Sequence, residues 1–376
     1  MADVMTDEFD LDEKLELESS AFQDNESFSP FSTKDIKVNT QTLALSSLVN
    51  RLRYNEIDLQ PKFQRKGDLW TSTQMSRLIE SILLKMPLPI FYFDVSSPDR
   101  WLVVDGLQRL STIKRFAVDK KLKLTNMEFL TPFNGFNFDE LPRPMQRVIE
   151  ETQIVTYQIE PQTPKEVRYS IFNRINTGGL KLNSQEIRQA LNQKGIAVDF
   201  LKNVCDTPEF QEIVNLKTDR MLDRELALRF FAFKLLPVDD NFKNLSSFLD
   251  RAIEVIDENT ELTDQLAKLM FDFKTALSLS VDLLGKNHKF SRSITGSGSK
   301  SLNRSLFDVL TVCLSEVRNP LKLIEHKDYF KLSLIEAISQ ENSKFSQSIY
   351  QGTGSKRAVL DRFEYMRNLI KTIENI

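Results

Sequence analysis

The sequence predicts an α/β domain followed by an all-α helical domain. Strand-like and helix-like segments alternate up to residue 195, and beyond it almost every segment has helical periodicity. With 376 residues, 41% of them hydrophobic, the chain is long enough for two domain cores. We therefore expect an acidic disordered tail over residues 1–37, an α/β domain over 38–195 and a helical domain over 196–376.

The tail is distinguished by its charge. Residues 1–30 contain ten Asp or Glu and one Lys, which gives them a net charge of −9. Because the whole chain has a net charge of −3, the remaining residues carry about +6. Such a segment is either a solvated tail or a mimic of nucleic-acid charge.

The elements of the α/β domain follow from local patterns. Thr71 and Gln74 have capping-box spacing at the start of an amphipathic helix, and Ser184 is placed to cap a later one. In chain order the predicted elements are a helix in TSTQMSRLIESILLK (from 71), strands in IFYFDV (90–95) and WLVVD (101–105) that form a hairpin, a helix after Gly106, a strand in QIVTYQIE (153–160), and helices in PKEVRYSIFNRIN (from 164) and SQEIRQALN (from 184).

The helical domain is interrupted by a basic segment rich in Ser and Gly, residues 287–305, which we interpret as a mobile loop. Positive side chains in and beside it are candidates for contact with a DNA backbone, because a loop with little apolar content could follow phosphates without disturbing packing. A merely solvated loop is the alternative. The candidates are Lys286, Lys289, Arg292, Lys300 and Arg304.

The stretch VVDGLQRLSTIKRF (103–116) joins a strand to a helix through Asp105 and Gly106. A helix N-terminus presents unpaired backbone N–H groups and the positive end of the helix dipole, which favours an anion site. Gly106 would let a ligand approach the backbone closely, and Arg109 in the first turn, with little role in the core, could hold a phosphate. The alternative is that Asp105 caps the helix and Arg109 lies on the surface.

Four stretches in a fixed order closely resemble the N-terminal domain family of GmrSD-type restriction systems, which is described by a DGQQR motif. They are QPKFQRKGDLW (60–70), MSRLIESILLKMPLPIFYF (75–93), VVDGLQRLSTIKRF (103–116) and FNRINTGGLKLNSQEIRQAL (172–191). In addition, GTGSKRAVLDRF (352–363) looks like the C-terminal signature of these proteins. The resemblance implies a ParB- and sulfiredoxin-like fold for the α/β domain.

On this resemblance the family motif falls on Asp105, Gly106, Gln108 and Arg109, with Leu107 in place of the first Gln. The resemblance implies that these residues bind and hydrolyse a nucleoside triphosphate in antiphage defence, with Asp105 orienting water or magnesium and Arg109 holding phosphate. We expect Leu107 to point inward, because it shares a face with Leu110.

Other motif residues have two interpretations each. Gln64 and Arg65 match the first motif of the family, or they are a polar pair at a strand end. A second group consists of Arg174, Asn176, Thr177, Gly178 and Gly179. The resemblance implies that these residues contact the nucleotide. The structural alternative is that the glycines form a left-handed cap at the end of a helix. Arg77 and Glu80 are interpreted as a surface ion pair.

Several classes of protein are disfavoured. Cys205 and Cys313 lie far apart without a CxxC pattern, which argues against a zinc site or a disulfide framework. An HNH-type nuclease is improbable, because the only histidines are His288 and His326. The stretch TGSGSKS (295–301) lacks the glycine before lysine that a Walker A motif needs. No signal peptide or membrane span is predicted, so we expect a cytoplasmic protein.

The sequence therefore predicts a nucleotide-binding, NTP-hydrolysing component of an antiphage or restriction system, using magnesium with its nucleotide. One alternative is a non-catalytic, nucleotide-gated DNA-binding or adaptor protein that acts with a separate nuclease. Another is an interaction scaffold with an inactive pocket. The protein could form a homo-oligomer under each of these three hypotheses.

Overall fold

The computed structural model describes residues 35–59, 70–175, 183–192, 195–214, 216, 221–258, 263–286, 290–296 and 301–376. Residues 1–34 of the predicted acidic tail lie outside this range. The chain divides into two compact units, with the boundary between Leu191 and Asn192.

The N-terminal unit contains a mixed five-stranded sheet. Its strands are β1 (Val38–Ala44), β2 (Ile57–Asp58), β3 (Phe91–Asp94), β4 (Trp101–Asp105) and β5 (Gln153–Ile159), in the order β1-β5-β3-β4-β2. The pairs β1–β5 and β3–β4 are antiparallel, and the pairs β5–β3 and β4–β2 are parallel. The predicted hairpin is thus confirmed as β3 and β4.

Helices of this unit lie on both faces of the sheet. They are α1 (Leu45–Arg53), α2 (Ser72–Leu83), α3 (Leu107–Ile113), α4 (Arg143–Glu151), α5 (Lys165–Ile175) and α6 (Ser184–Leu191), with a π-helical turn at Lys114–Val118 and a 3-10 turn at Thr131–Phe133. Helices α1 to α4 build a core against one face, in which Leu48, Ile79, Phe93 and Phe116 are buried. Helix α2 begins with the predicted capping box, in which Thr71 Oγ1 accepts from the Gln74 N–H.

Helix α5 packs against β4 on the opposite face. There Arg168 forms a 3.4 Å ion pair with Asp94 and donates to Ser96 Oγ over 2.7 Å. The next helix, α6, is capped by Asn183, whose side chain accepts from the Glu186 N–H over 2.8 Å. The prediction of Ser184 as the cap was therefore wrong by one residue, because Asn183 and Glu186 form the reciprocal pair that satisfies the first turn.

Glu80 on α2 is buried and does not lie on the protein surface, since its solvent exposure is 3%. Its carboxylate accepts three backbone N–H groups, from Glu128, Phe129 and Leu130, over 2.7 to 3.0 Å. Arg77, which is partly exposed, reaches the same carboxylate over 3.4 Å. The predicted ion pair of Arg77 and Glu80 is therefore present, but its placement on the surface was wrong for Glu80, whose buried carboxylate binds the backbone of residues 128–130.

The C-terminal unit is helical, as predicted. Its helices are α7 (Ile196–Cys205), α8 (Pro208–Ile213), α9 (Leu222–Leu235), α10 (Leu245–Glu258), α11 (Thr263–Leu284), α12 (Arg304–Leu314), α13 (Pro320–Glu325), α14 (Lys327–Ser339), α15 (Lys344–Tyr350) and α16 (Lys356–Asn375), with a 3-10 turn at Arg292–Thr295. The core is aromatic: Phe273 contacts Phe230, Phe231 and Phe307 with ring centroids 4.5 to 6.2 Å apart.

A buried network of charges crosses this core. Asp308 on α12 accepts from Arg229 on α9 over 2.8 and 2.6 Å, and from Arg362 on α16 over 3.4 Å. The side chains of Asp308 and Arg362 are 0% exposed. Arg362 also donates to the Thr353 carbonyl over 2.7 Å. The predicted C-terminal signature therefore contributes Arg362, which ties the last helix to α12.

The basic segment was expected to be a mobile loop, and its described residues contradict this. Phe290 and Leu302 are 0% exposed and belong to the core of the unit. Ser291 and Leu302 form an isolated antiparallel bridge. Apolar side chains at both ends of the segment explain the difference, because their burial fixes the chain.

Candidate functional site

The candidate site lies at the end of β4, where the chain turns through Gly106 into α3. Gly106 occupies the left-handed region, with φ 98° and ψ 12°, and is the N-cap of the helix. No side chain caps the first turn of α3. Instead of capping, the Asp105 carboxylate accepts from Arg109 Nη2 over 2.9 Å. The capping alternative for Asp105 was therefore wrong.

Gly106 is needed for packing as well as for its backbone conformation. A Cβ atom at this position would lie 2.5 Å from Phe91 Cδ1 and 3.3 Å from Arg109 Nη2. The space beside the glycine is thus filled by the chain's own side chains. A ligand therefore has no room on the Cβ side of Gly106, and its close approach to the backbone from another side stays a prediction.

Arg109 is buried, with 8% of its surface exposed. Its guanidinium donates to the carbonyl oxygens of Pro89 and Ile90 and lies 4.4 Å from the centre of the Phe91 ring. Burial lowers the pKa of Arg109, partly offset by Asp105. The expectation that Arg109 has little role in the core was wrong, because it joins α3 to the entry of β3.

Asp105 is the accessible member of this pair, since 32% of its side chain is exposed. Arg109 holds Oδ2, and within the described residues Oδ1 has no hydrogen-bond partner. The result is a carboxylate with a fixed orientation and one oxygen left for solvent or a ligand. A fixed carboxylate of this kind can orient water or coordinate a cation.

The two residues between Gly106 and Arg109 have different roles. Leu107 is partly buried and packs against the core of the unit, as predicted. Gln108 accepts at Oε1 from the backbone N–H of Trp70 over 3.2 Å. The motif is therefore connected to the chain just before α2.

Most of the other residues predicted to contact a nucleotide lie outside the part of the chain that the structure describes. Arg174 lies exposed in the last turn of α5. The others fall outside the described residues, so that the structure does not place them: Gln64, Arg65, Asn176, Thr177, Gly178 and Gly179. Their assignment stays a prediction.

The basic residues proposed for DNA lie in the C-terminal unit, and three of the five are described. Arg304 Nε is 3.2 Å from the Glu225 carboxylate. Arg292 stacks on Tyr350, with its guanidinium carbon 4.3 Å from the ring centre. Lys286, largely exposed, is 3.4 Å from Glu212. Lys289 and Lys300 lie outside the described residues. The placed cations therefore already have partners.

The described residues also bear on three other features: a metal site, a reactive thiol and a membrane-spanning helix. No group of three His, Cys, Asp or Glu side chains is arranged there to hold a metal ion. Burial raises the pKa of the thiols of Cys205 and Cys313, which makes them poor nucleophiles. None of the helices described combines the length and the apolar character needed to cross a bilayer.

Two tyrosines beside Asp105 were missed by the sequence analysis. Tyr92 on β3 pairs with Asp105 on β4 and with Tyr157 on β5. The two phenol rings are 5.2 Å apart. Alternation along the strands could have placed both tyrosines on the face opposite Phe91 and Phe93. Their adjacency depends on the order of strands, which no local pattern contains.

Residues 45–193 match the family model described as GmrSD restriction endonuclease, N-terminal domain. This part of the chain is similar to that family. The match confirms the sequence resemblance and includes the whole Asp105–Arg109 motif of this GmrSD N-terminal domain. Comparisons with curated proteins and with solved structures gave no match.

Proposed function

We propose that this protein is a nucleotide-responsive component of a restriction or antiviral defence system, and that its GmrSD N-terminal domain, with a ParB-like fold, binds a nucleoside triphosphate at the Asp105 turn. The name of the matched family supports the restriction or defence role. The partly exposed, oriented carboxylate of Asp105 carries the proposal for the site, because it is the more accessible of the two charged groups in the family motif.

The structure changes the roles proposed for the motif. Arg109 positions Asp105 and donates to Asp105 and to two carbonyl oxygens. Phosphate would instead meet the backbone N–H groups of the turn, where a left-handed Gly106 is followed by helical residues. Successive N–H groups in such a turn form a concave site that favours anions.

Magnesium fits this arrangement as a companion of the nucleotide. Proteins commonly hold Mg²⁺ through one or two carboxylates together with substrate phosphates. Asp105 supplies one carboxylate with a free oxygen, and the described residues contain no cluster that would bind the ion without a nucleotide. When bound, the ion would neutralise phosphate charge.

A second candidate is a nucleotide-gated adaptor that does not hydrolyse its ligand and acts with a separate nuclease or on DNA. Leu107 favours it, because the side chain packs on the core where the family motif has a Gln. The domain then lacks one amide that could orient a water molecule. Phosphate release from the nucleotide distinguishes the two candidates.

The test is calorimetric titration of the full chain with the four common nucleoside triphosphates, with and without magnesium. We expect the wild type to bind at least one of them, and Asp105→Asn to weaken the magnesium-dependent binding by roughly tenfold or more, since a charge-assisted contact contributes about 1.5 to 3 kcal/mol. Asp119→Asn is a matched control, because Asp119 is similarly exposed, at 27%, and pairs with Lys114.

Wild-type protein that binds none of the nucleotides would refute the proposed function. Equal affinities for the wild type and Asp105→Asn would remove Asp105 from the site. Binding without phosphate release would favour the adaptor.

A further inference from the structure

One row of side chains crosses four strands of the sheet. Thr40 on β1 pairs with Tyr157 on β5, Tyr157 pairs with Tyr92 on β3, and Tyr92 pairs with Asp105 on β4. In a regular ladder, paired residues project from the same face, so Thr40, Tyr157 and Tyr92 share one face. The β3–β4 ladder shifts register between Tyr92 and Phe93, and Asp105 adjoins Tyr92 at this irregularity, where its carboxylate contributes to the raised pKa of Tyr92. Adjacent strands are about 4.8 Å apart, so Tyr157 is roughly 10 Å from Asp105 along the row.

The face that carries this row is open at one end. Ile159 and Asp94 are 0% and 4% exposed at the end where Arg168 of α5 reaches Asp94. Toward the other end, Val155 is 37% exposed, and its partner Thr42 is exposed as well. Tyr157 and Tyr92 lie between these ends and are partly exposed.

The tyrosines combine apolar rings with unused hydroxyl groups. Neither phenol makes a hydrogen bond to any residue that the structure describes. Burial, the neighbouring Tyr157 and the Asp105 carboxylate together raise the pKa of Tyr92. Its hydroxyl therefore remains a donor at physiological pH. Thr40, which pairs with Tyr157 on the β1 side, is small and exposed.

We propose that Tyr157 and Tyr92 form the wall on which the base of a bound nucleoside triphosphate stacks, with its phosphates extending toward Asp105. This inference rests on the proposed function and adds the part of the site that recognises the base. Aromatic side chains on an exposed sheet face are a recurrent platform for nucleobases, because every base has a π-face.

A single nucleotide fits the row better than a nucleic-acid strand. The four residues of the row include no cation and end in the partly exposed Asp105 carboxylate. A strand carries a phosphate at every step and would need cations along its path. A triphosphate needs compensation at one end only, where a magnesium ion held with the Asp105 carboxylate would supply it.

The experiment compares nucleoside triphosphates with inorganic tripolyphosphate, which has no base, by calorimetric titration of the full chain. The variants are Tyr157→Ala, Tyr157→Val, which keeps a β-branched residue in the strand, Tyr157→Phe and Tyr92→Phe. Tyr54→Ala is the control, since Tyr54 follows α1 and is 72% exposed. Circular dichroism of each variant establishes that it is folded.

We expect Tyr157→Ala and Tyr157→Val to lower nucleotide affinity roughly five- to 150-fold, the range for loss of one base-stacking aromatic, and to leave tripolyphosphate affinity unchanged. Tyr157→Phe should retain most of the affinity, and Tyr92→Phe should lose about two- to tenfold with its hydroxyl. Tyr54→Ala should match the wild type.

Three results would overturn the inference while the proposed function stands: nucleotide affinity unchanged in both Tyr157 truncations, equal losses for nucleotide and tripolyphosphate, or wild type that binds the two ligands equally. A Tyr157 effect confined to a single-stranded oligonucleotide would assign the wall to a strand instead. Wild type that binds no nucleotide would refute the proposed function and this inference together.

Discussion

Arg109 and Asp105 form an i,i+4 ion pair in which Nη2 lies 2.9 Å from Oδ2, and the aspartate side chain is the more exposed of the two, at 32% against 10%. The arginine also satisfies the carbonyl oxygens of Pro89 and Ile90. A motif arginine that first suggests a phosphate ligand is therefore a structural support for the motif aspartate.

Arg109→Ala should destabilise the N-terminal unit. The change leaves two carbonyl oxygens and a carboxylate without their donor, which should lower the free energy of unfolding by about 1.5 to 3 kcal/mol. Urea titration measures this, with Arg174→Ala as the control because Arg174 is exposed in α5. Equal stabilities of the two variants would contradict the buried placement of Arg109.

Gly106→Ala should be more harmful than Gly135→Ala. Both glycines have positive φ, 98° and 89°. A Cβ atom added at Gly106 would lie 2.5 Å from Phe91, whereas one added at Gly135 would have no described atom within 4 Å apart from its chain neighbours. A left-handed alanine alone costs about 1 kcal/mol. We expect thermal unfolding to show a clearly larger loss for Gly106→Ala, and similar losses would mean that Phe91 moves aside easily.

Glu80→Gln should destabilise the unit at neutral pH by about 1 to 3 kcal/mol, because an amide cannot satisfy three backbone N–H groups and Arg77 as a carboxylate does. Burial acts to raise the pKa of Glu80, but the three N–H groups and Arg77 outweigh it and the pKa is lowered.

A lowered pKa in the folded state gives stability that is present above the unfolded pKa and is lost as pH falls through the folded one. The stability difference between the wild type and Glu80→Gln should therefore shrink below about pH 4.5, the ordinary pKa of Glu. Urea titrations across this range provide the measurement. A difference that is constant with pH would show that folding leaves the pKa of Glu80 unchanged, and one that grows as pH falls would show that the pKa is raised.

Asp308→Asn should destabilise the C-terminal unit strongly. The change removes the buried carboxylate that Arg229 and Arg362 share, and breaking a buried charge network in this way typically costs about 3 to 5 kcal/mol. Asp240→Asn is the comparison, since Asp240 pairs with Lys356 at the surface and should give no measurable change. Calorimetric unfolding distinguishes the two, and a mild effect of Asp308→Asn would mean that water reaches the network.

Leu107→Gln tests the departure from the family motif. Because Leu107 packs on the core, the variant should lose stability by about 1 to 3 kcal/mol through an amide without partners. Thermal unfolding and phosphate release are measured together. A variant of unchanged stability that releases phosphate faster would show that position 107 faces the nucleotide.

Features with a local cause could be predicted from the sequence. Alternation and turn residues identify the hairpin of β3 and β4, and the spacing of Thr71 and Gln74 identifies the start of α2. Helical periodicity likewise identifies the C-terminal unit. Each of these patterns is complete within a few residues, so a single stretch is enough to recognise it.

Features that depend on distant residues could not be predicted. The burial of Arg109 depends on carbonyl oxygens 19 and 20 positions earlier, and the Tyr92–Tyr157 contact depends on β5 entering the sheet beside β3. Phe290 and Leu302 show the same limit, because a polar and Gly-rich composition concealed two core residues. Tertiary packing overrides local character at all three places.

The contact between Trp70 and Gln108 offers a spectroscopic consequence. The chain contains two tryptophans, Trp70 and Trp101, and both belong to the N-terminal unit. Intrinsic indole fluorescence therefore originates from that unit, and Trp70 is attached through its backbone to the motif itself. Excitation of these two indoles gives an optical signal for events at the Asp105 turn without a label, free of any emission from tryptophan in the C-terminal helices.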